Sequence, residues 1–149
     1  MAIEELPPDF REFLQLLASR SVEYLLVGGY AVAYHGYVRA TADMDIWVAA
    51  SEGNAAKLVA VLGEFGFDVP GLTPDLFTEP GNIVRLGEPP IRIEILTKVS
   101  GVTFEDCYAR RIVDTVDGVA VNLISLEHLR ANKAASGRLK DLADLEHLS

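Results

Sequence analysis

The chain has 149 residues, half of them hydrophobic and 23% charged, with a net charge of −9. That suffices for one domain with a real core and excludes a disordered chain, while no apolar run approaches the roughly 20 residues of a membrane span. The acidic balance argues against an extensive nucleic-acid footprint, and the single cysteine, Cys107, excludes an internal disulfide and a cysteine-based metal site.

The start, MAIEELPPDF, is acidic and lacks the basic and apolar regions of a signal peptide. With one free cysteine, this makes the reducing cytoplasm the expected location. Asp9 is the expected N-cap of a helix over 10–20, with Phe10, Phe13, Leu14 and Leu17 on one face. VEYLLVG (22–28) reads as a strand, YAVAYHG (30–36) as a short helix closed by Gly36, and DMDIWV (43–48) as a second strand. Ser51 opens a helix to about Phe65 with Leu58, Val61, Leu62 and Phe65 as its apolar stripe. A Pro/Gly-rich loop over 71–82 follows. IVRLG and IRIEIL, joined by EPP, predict a hairpin over 83–96. RRIVDTVDGVAVNLI predicts another, turning at Asp117-Gly118. Ser125 caps a helix to Ser136, Gly137 ends it, and a last helix covers RLKDLADLEHL. The expected fold is a single α+β domain over 1–149, with a mixed sheet, helices packed on it and a C-terminal helical segment at about 125–148.

Asp43 and Asp45 are two apart in a strand, so they project to one face, while Met44, Ile46 and Val48 face the core. Adjacent carboxylates repel unless a cation intervenes, and their oxygens suit Mg²⁺. The same parity sets Glu94 with Arg92 opposite Ile91, Ile93 and Ile95. If the two strands are neighbours, Glu94 completes a three-carboxylate cluster able to hold metal ions on a nucleotide's phosphates. If they are not, it pairs with Arg85 or Arg92 across the hairpin. Gly28-Gly29, between a strand and a helix, lets backbone approach an anion closely.

Gly-Gly, a short helix, Asp-x-Asp on the next strand and a carboxylate on a later one resemble the nucleotidyltransferase superfamily with a DNA polymerase β-type palm. GGYAVAYHGYVRATADMDIWV is similar to the small bacterial members grouped with AbiEii toxins and with minimal and lincosamide nucleotidyltransferases. LEHLRANKAASGRLKDLADLEHL is similar to the AbiEii-type ending. The resemblance implies transfer of a nucleoside monophosphate from an NTP such as ATP to an acceptor hydroxyl, with Mg²⁺ or Mn²⁺ as cofactor and pyrophosphate released, in a toxin–antitoxin-type enzyme or a relative. Asp43, Asp45 and Glu94 would be the catalytic metal ligands. Gly28, Gly29, Arg39, Thr41 and Lys133 would contact the nucleotide. The acceptor, whether a small molecule, protein or RNA, is not readable, and with no second domain visible its site falls to a homodimer or a partner protein. A catalytically silent nucleotide-binding or regulatory module is the alternative. Arg39 and Thr41 also read as turn residues, and Lys133 as part of a solvated face. His35 reads as a packing residue, Trp47 as core, and Asp141 and Asp144 as ion-pair partners of Lys133 or Arg138.

Overall fold

The computed structural model describes residues 5–37, 43–67, 70–88 and 91–148. Its elements run α1 (Pro8–Ser19), β1 (Tyr24–Val27), α2 (Gly28–Tyr34), β2 (Asp43–Val48), α3 (Glu52–Phe65), β3 (Ile83–Glu88), β4 (Ile91–Leu96), α4 (Phe104–Ala109), β5 (Ile112–Val116), β6 (Val119–Leu123), α5 (Leu126–Ser136) and α6 (Leu139–His147), with a 3-10 turn at Pro74–Phe77. Among the described residues no helix is long and apolar enough to cross a membrane.

The strands form one mixed six-stranded sheet in the order β3-β4-β2-β1-β6-β5. The outer pairs are the two predicted antiparallel hairpins. Asp117 and Gly118 both take positive φ, 50° and 79°, as a two-residue turn matched to strand twist requires. Inside, β1 runs antiparallel to β2, while β2–β4 and β1–β6 are parallel. This is the expected α+β architecture, and β2 and β4 are neighbours.

The central strands are buried on both faces, and side-chain parity divides the core in two. Tyr24, Leu26, Met44, Ile46 and Val48 point to one cluster, packed by Phe10, Phe13, Leu14 and Leu17 of α1 and by Leu58, Val61 and Leu62 of α3. Leu25, Val27 and Trp47 point to the other, packed by Ala31 and Val32 of α2, Cys107 of α4 and Leu129 of α5. Trp47 therefore lies in the core, edge-on to Phe104 at 5.2 Å.

Four local details differ from the sequence reading. Helix α1 begins at Pro8 with Pro7 at the cap position, so Asp9 lies in the first turn instead of capping it. Proline fits there because its φ is preset and its missing N–H had no helical partner to lose. The loop at 71–82 contains a 3-10 turn whose Phe77 is fully buried. Helix α4, capped by Thr103, covers a six-residue stretch too short for a helical period to show. Phe65 ends the α3 stripe only half-buried.

Ser51 caps α3 as expected, accepting from Asn54 N–H. The buried Asn54 amide does more than the helix requires. It accepts from Glu23 N–H at 2.7 Å and donates to the carbonyls of Glu23 (3.0 Å) and Ala49 (2.9 Å). It thereby ties the start of β1, the end of β2 and α3 together. Asn54→Ala leaves three backbone groups without those partners and should cost about 2–3 kcal/mol, read as a lowered chemical-denaturation midpoint with the native circular dichroism spectrum retained.

Candidate active site

The site begins where β1 gives way to α2. Val27 pairs with Asp45 across the antiparallel β1–β2 ladder, and Gly28 follows at once with φ +66°. A Cβ built on Gly28 would stand 2.0 Å from Asp45 Oδ2. Glycine is thus required twice, by the left-handed backbone and by the carboxylate lying against it. Gly29 is buried beside it.

Parallel pairing of β2 with β4 supplies the second carboxylate. Asp43 lies opposite Arg92 and Asp45 opposite Glu94. Asp45 and Glu94 share a hydrogen bond between their carboxyl groups. Burial, then that hydrogen bond, then the negative charges of Glu94 and Asp43 push the Asp45 carboxyl up to about 7, against a weaker opposing pull from Lys140. Asp45 Oδ1 is buried with no hydrogen-bond partner.

The flanking carboxylates each face an arginine. Arg92 grips Asp43 with two bonds, Nε to Oδ1 at 3.1 Å and Nη2 to Oδ2 at 2.7 Å. Arg85, opposite Glu94 in the β3–β4 hairpin, donates from Nε to Oε1 at 2.8 Å. Glu94 therefore neighbours Asp45 and also forms the hairpin ion pair. Held in this way, no three carboxylate, histidine or cysteine side chains among the described residues converge into a ready metal site.

A cavity of about 360 Å³ opens over Gly28, Gly29, Asp45 and Glu94. Its other walls are β3, which brings Arg85, the segment after β4, which brings Lys98, and α5–α6 with the turn between them, which bring Lys133, Arg138 and Lys140. Lys133 is not on a solvated face. It is 4% exposed, with Nζ 3.2 Å from Asp141 Oδ1 and 3.1 Å from Asp144 Oδ2. Asp141 also accepts from Arg138 Nε at 2.7 Å. Although burial opposes it, hydrogen bonds from Arg138, Ser136 and Lys133 hold the Asp141 carboxyl well below the usual carboxylate range. The predicted ion pairs of Asp141 and Asp144 thus form, and they fix α6 to α5 beneath the pocket.

The structure brings Gly28, Gly29, Asp45, Glu94 and Lys133 to one cavity. Asp43 is on the same strand face but turned to Arg92 and outside the cavity lining. Arg39 and Thr41 lie outside the described residues. His35 packs with Nε2 2.8 Å from the Ile124 carbonyl. Arg130, on α5, donates to the Leu148 carbonyl. Sequence reasoning missed Lys98, although a signal existed: Arg92, Glu94, Leu96 and Lys98 keep one parity across the end of β4.

The chain matches, over residues 8–149, the family described as nucleotidyl transferases of unknown function (DUF2204). It belongs to this family of nucleotidyltransferases. No curated protein sequence matches it significantly. Among solved structures it is similar to TM1012 of Thermotoga maritima, a protein assigned as a nucleotidyltransferase, with 18% identity, TM-score 0.65, and 96% of this chain and 94% of that one covered. It is also similar to the lincosamide antibiotic adenylyltransferase LnuA, solved with lincomycin bound, at 17% identity, TM-score 0.63 and 97% of both chains. The resistance factor ANT(2'')-Ia follows at 12% identity, TM-score 0.58, covering 94% of this chain and 80% of that one. At such identities these likenesses show the fold; the family match makes the chain an enzyme of the nucleotidyltransferase class.

Two outcomes follow for this nucleotidyltransferase. Lys133→Ala would remove the buried ammonium from between Asp141 and Asp144, so stability should fall by about 3 kcal/mol; an unchanged melting temperature would show that these pairs are not structural. The second concerns Asp45. Its folded-state carboxyl titrates near 7, above its ordinary 3.8, so between those values the folded chain keeps a proton that the unfolded chain releases. Stability of the metal-free protein must therefore fall as pH rises through that window. Asp45→Asn, measured in EDTA, should match the parent near pH 4 and exceed it above pH 7 by on the order of 1–2 kcal/mol, the pocket's water and counter-ions screening the rest.

Proposed function

We propose that the protein moves a nucleoside monophosphate from an NTP to an acceptor hydroxyl, with a divalent cation, Mg²⁺ or Mn²⁺, as cofactor and pyrophosphate as the leaving group. The observation that carries this reading is the opposition of charge across one cavity: Asp45 and Glu94 on the sheet, and Arg85, Lys98, Arg138 and Lys140 around them. An NTP needs both halves, cations for its phosphates and carboxylates for the metal that accompanies them.

The carboxylates suit such an ion in kind, being hard oxygen donors, and among the described residues the buried Asp45 Oδ1 has no hydrogen-bond partner to give up. Asp43, Asp45 and Glu94 would hold it. When bound, it neutralises the carboxylates and polarises the α-phosphate. Gly28 and Gly29 allow phosphate oxygens to approach the backbone without a Cβ in the way. Lys98, Arg138 and Lys140 would take the β- and γ-phosphates, whose charge grows as pyrophosphate leaves. Lys133, buried between Asp141 and Asp144, would act chiefly by holding α6 and its Arg138 and Lys140 at the pocket.

In the transfer, the acceptor oxygen attacks the α-phosphorus while the bond from that phosphorus to the bridging oxygen breaks. The hydroxyl proton passes to a Glu94 oxygen and the electron pair leaves on pyrophosphate. A small hydroxylated acceptor fits best, because the chain carries a charge of −9 and aligns over 97% of both lengths with LnuA, which is solved with a small antibiotic bound. A toxin-type role would instead require a protein or RNA acceptor.

The test is incubation with each labelled NTP, Mg²⁺ and panels of small alcohols, proteins and RNAs, followed by mass spectrometry of whatever gains a nucleotide. Glu94→Gln should fold, bind NTP nearly as tightly and lose about 10²–10⁴-fold in transfer; Glu94→Asp should keep part of it. Undiminished transfer by Glu94→Gln would remove Glu94 from the chemistry. NTP binding unaffected by EDTA would remove the metal.

A further inference from the structure

Three carboxylates share one face of β2 and β4, and two arginines answer them. Arg92 stands opposite Asp43, and Arg85 opposite Glu94, each one strand away in register. Among the described residues no arginine pairs directly with the central Asp45, and its Oδ1 has no hydrogen-bond partner. The guanidinium of Arg92 occupies both oxygens of Asp43, and that of Arg85 occupies Oε1 of Glu94. A cation ligated by these carboxylates needs the same lone pairs.

We infer that Arg85 and Arg92 are resident counter-ions of the metal-free cluster, and that a divalent cation enters by displacing them. The inference rests on the metal-dependent reading above. Once Asp45 is ionised, three like charges on adjacent strands repel, and two guanidiniums bring the local sum from −3 to −1 without a metal. Both arginines can leave. The Arg85 side chain is 57% exposed and lines the cavity, so its departure costs little desolvation. The Arg92 side chain is 34% exposed, on the strand beside Asp43. Metal affinity is then set by a competition, and the two arginines lower it in exchange for a folded metal-free state. A purely orienting role makes the opposite prediction: arginines that hold carboxylates in place for the ion would raise its affinity.

The sign of one measurement separates the two. Mn²⁺ binding to the nucleotide-free protein is followed by electron paramagnetic resonance of the free ion, with Asp45→Asn as the control for binding elsewhere on the acidic surface. Arg85→Gln and Arg92→Gln should each bind Mn²⁺ about three- to tenfold more tightly than the parent, since a charge-assisted pair no longer has to break. Both should melt lower than the parent in EDTA and gain more from added Mn²⁺. Arg92→Lys, which keeps the charge and loses the two-pronged grip, should fall between. Should Arg92→Gln fail to fold, Arg85→Gln, altered at an exposed side chain, decides. Unchanged or weaker Mn²⁺ binding by the arginine variants, with Asp45→Asn still abolishing it, overturns the inference and leaves the metal reading standing. Equal binding by Asp45→Asn and the parent removes the metal from this site, and the inference with it.

Discussion

The parallel register that places Asp45 against Glu94 is the constraint on which the rest of the site depends. Two strands paired with an offset of 49 positions in sequence bring two carboxyl groups into hydrogen-bond contact, in a place where burial already disfavours charge. Such a pair is unstable in isolation, and its surroundings follow from that fact. Gly28 gives the Asp45 carboxylate space by having no side chain. Arg85 takes up charge on Glu94, and Arg92 takes up charge on Asp43 one pleat repeat away. The Asp45 proton affinity rises because burial and then the neighbouring Glu94 carboxyl disfavour its charge.

The second half of the site is built quite differently. The cavity's cations come largely from α5–α6 and the turn before α6, and the two helices are held to each other through a buried ion cluster. Lys133 lies between Asp141 and Asp144, and Asp141 passes the contact on to Arg138. A buried lysine with two carboxylates is not a cheap way to join helices. Here it sets the direction of Arg138 and the neighbouring Lys140 toward the carboxylate pair. On the other side, a Cβ at Gly101 would stand 2.4 Å from Ala135 Cβ, so the segment carrying Lys98 packs tightly on α5. Acidic sheet and basic helices are held at a fixed separation, and the cavity is the gap between them.

Much of this was legible in the chain. Period-two alternation located DMDIWV and IRIEIL and assigned the facing of Asp43, Asp45 and Glu94, because a pleat permits only two sides. The Asp-Gly turn and the Ser51 and Ser125 caps were readable because each answers a purely local need of the backbone. Helix α4 was not readable, being shorter than two helical turns, nor was the 3-10 turn that buries Phe77 inside an otherwise polar loop. The pairing of Asp141 and Asp144 with Lys133 or Arg138 was readable from their spacing; that Lys133 is buried between them and off the solvated face was not, since the α5–α6 angle decides it.

The sequence by itself determined the strand and helix order, the face on which each carboxylate sits and the glycine at the β1–α2 junction, all consequences of backbone geometry within a few residues. Which strands became neighbours, and in which register, was decided only by the tertiary structure. Glu94 could have met Arg85 alone at a sheet edge; the β4–β2 pairing gave it Asp45 as well. The same pairing set Arg92 on Asp43 and kept that carboxylate out of the cavity lining. The physical reason is that a one-residue slip between β2 and β4 would turn Met44, Ile46 and Val48 out of the core. Burial of those apolar side chains fixes the register, and the register alone puts the charges in contact.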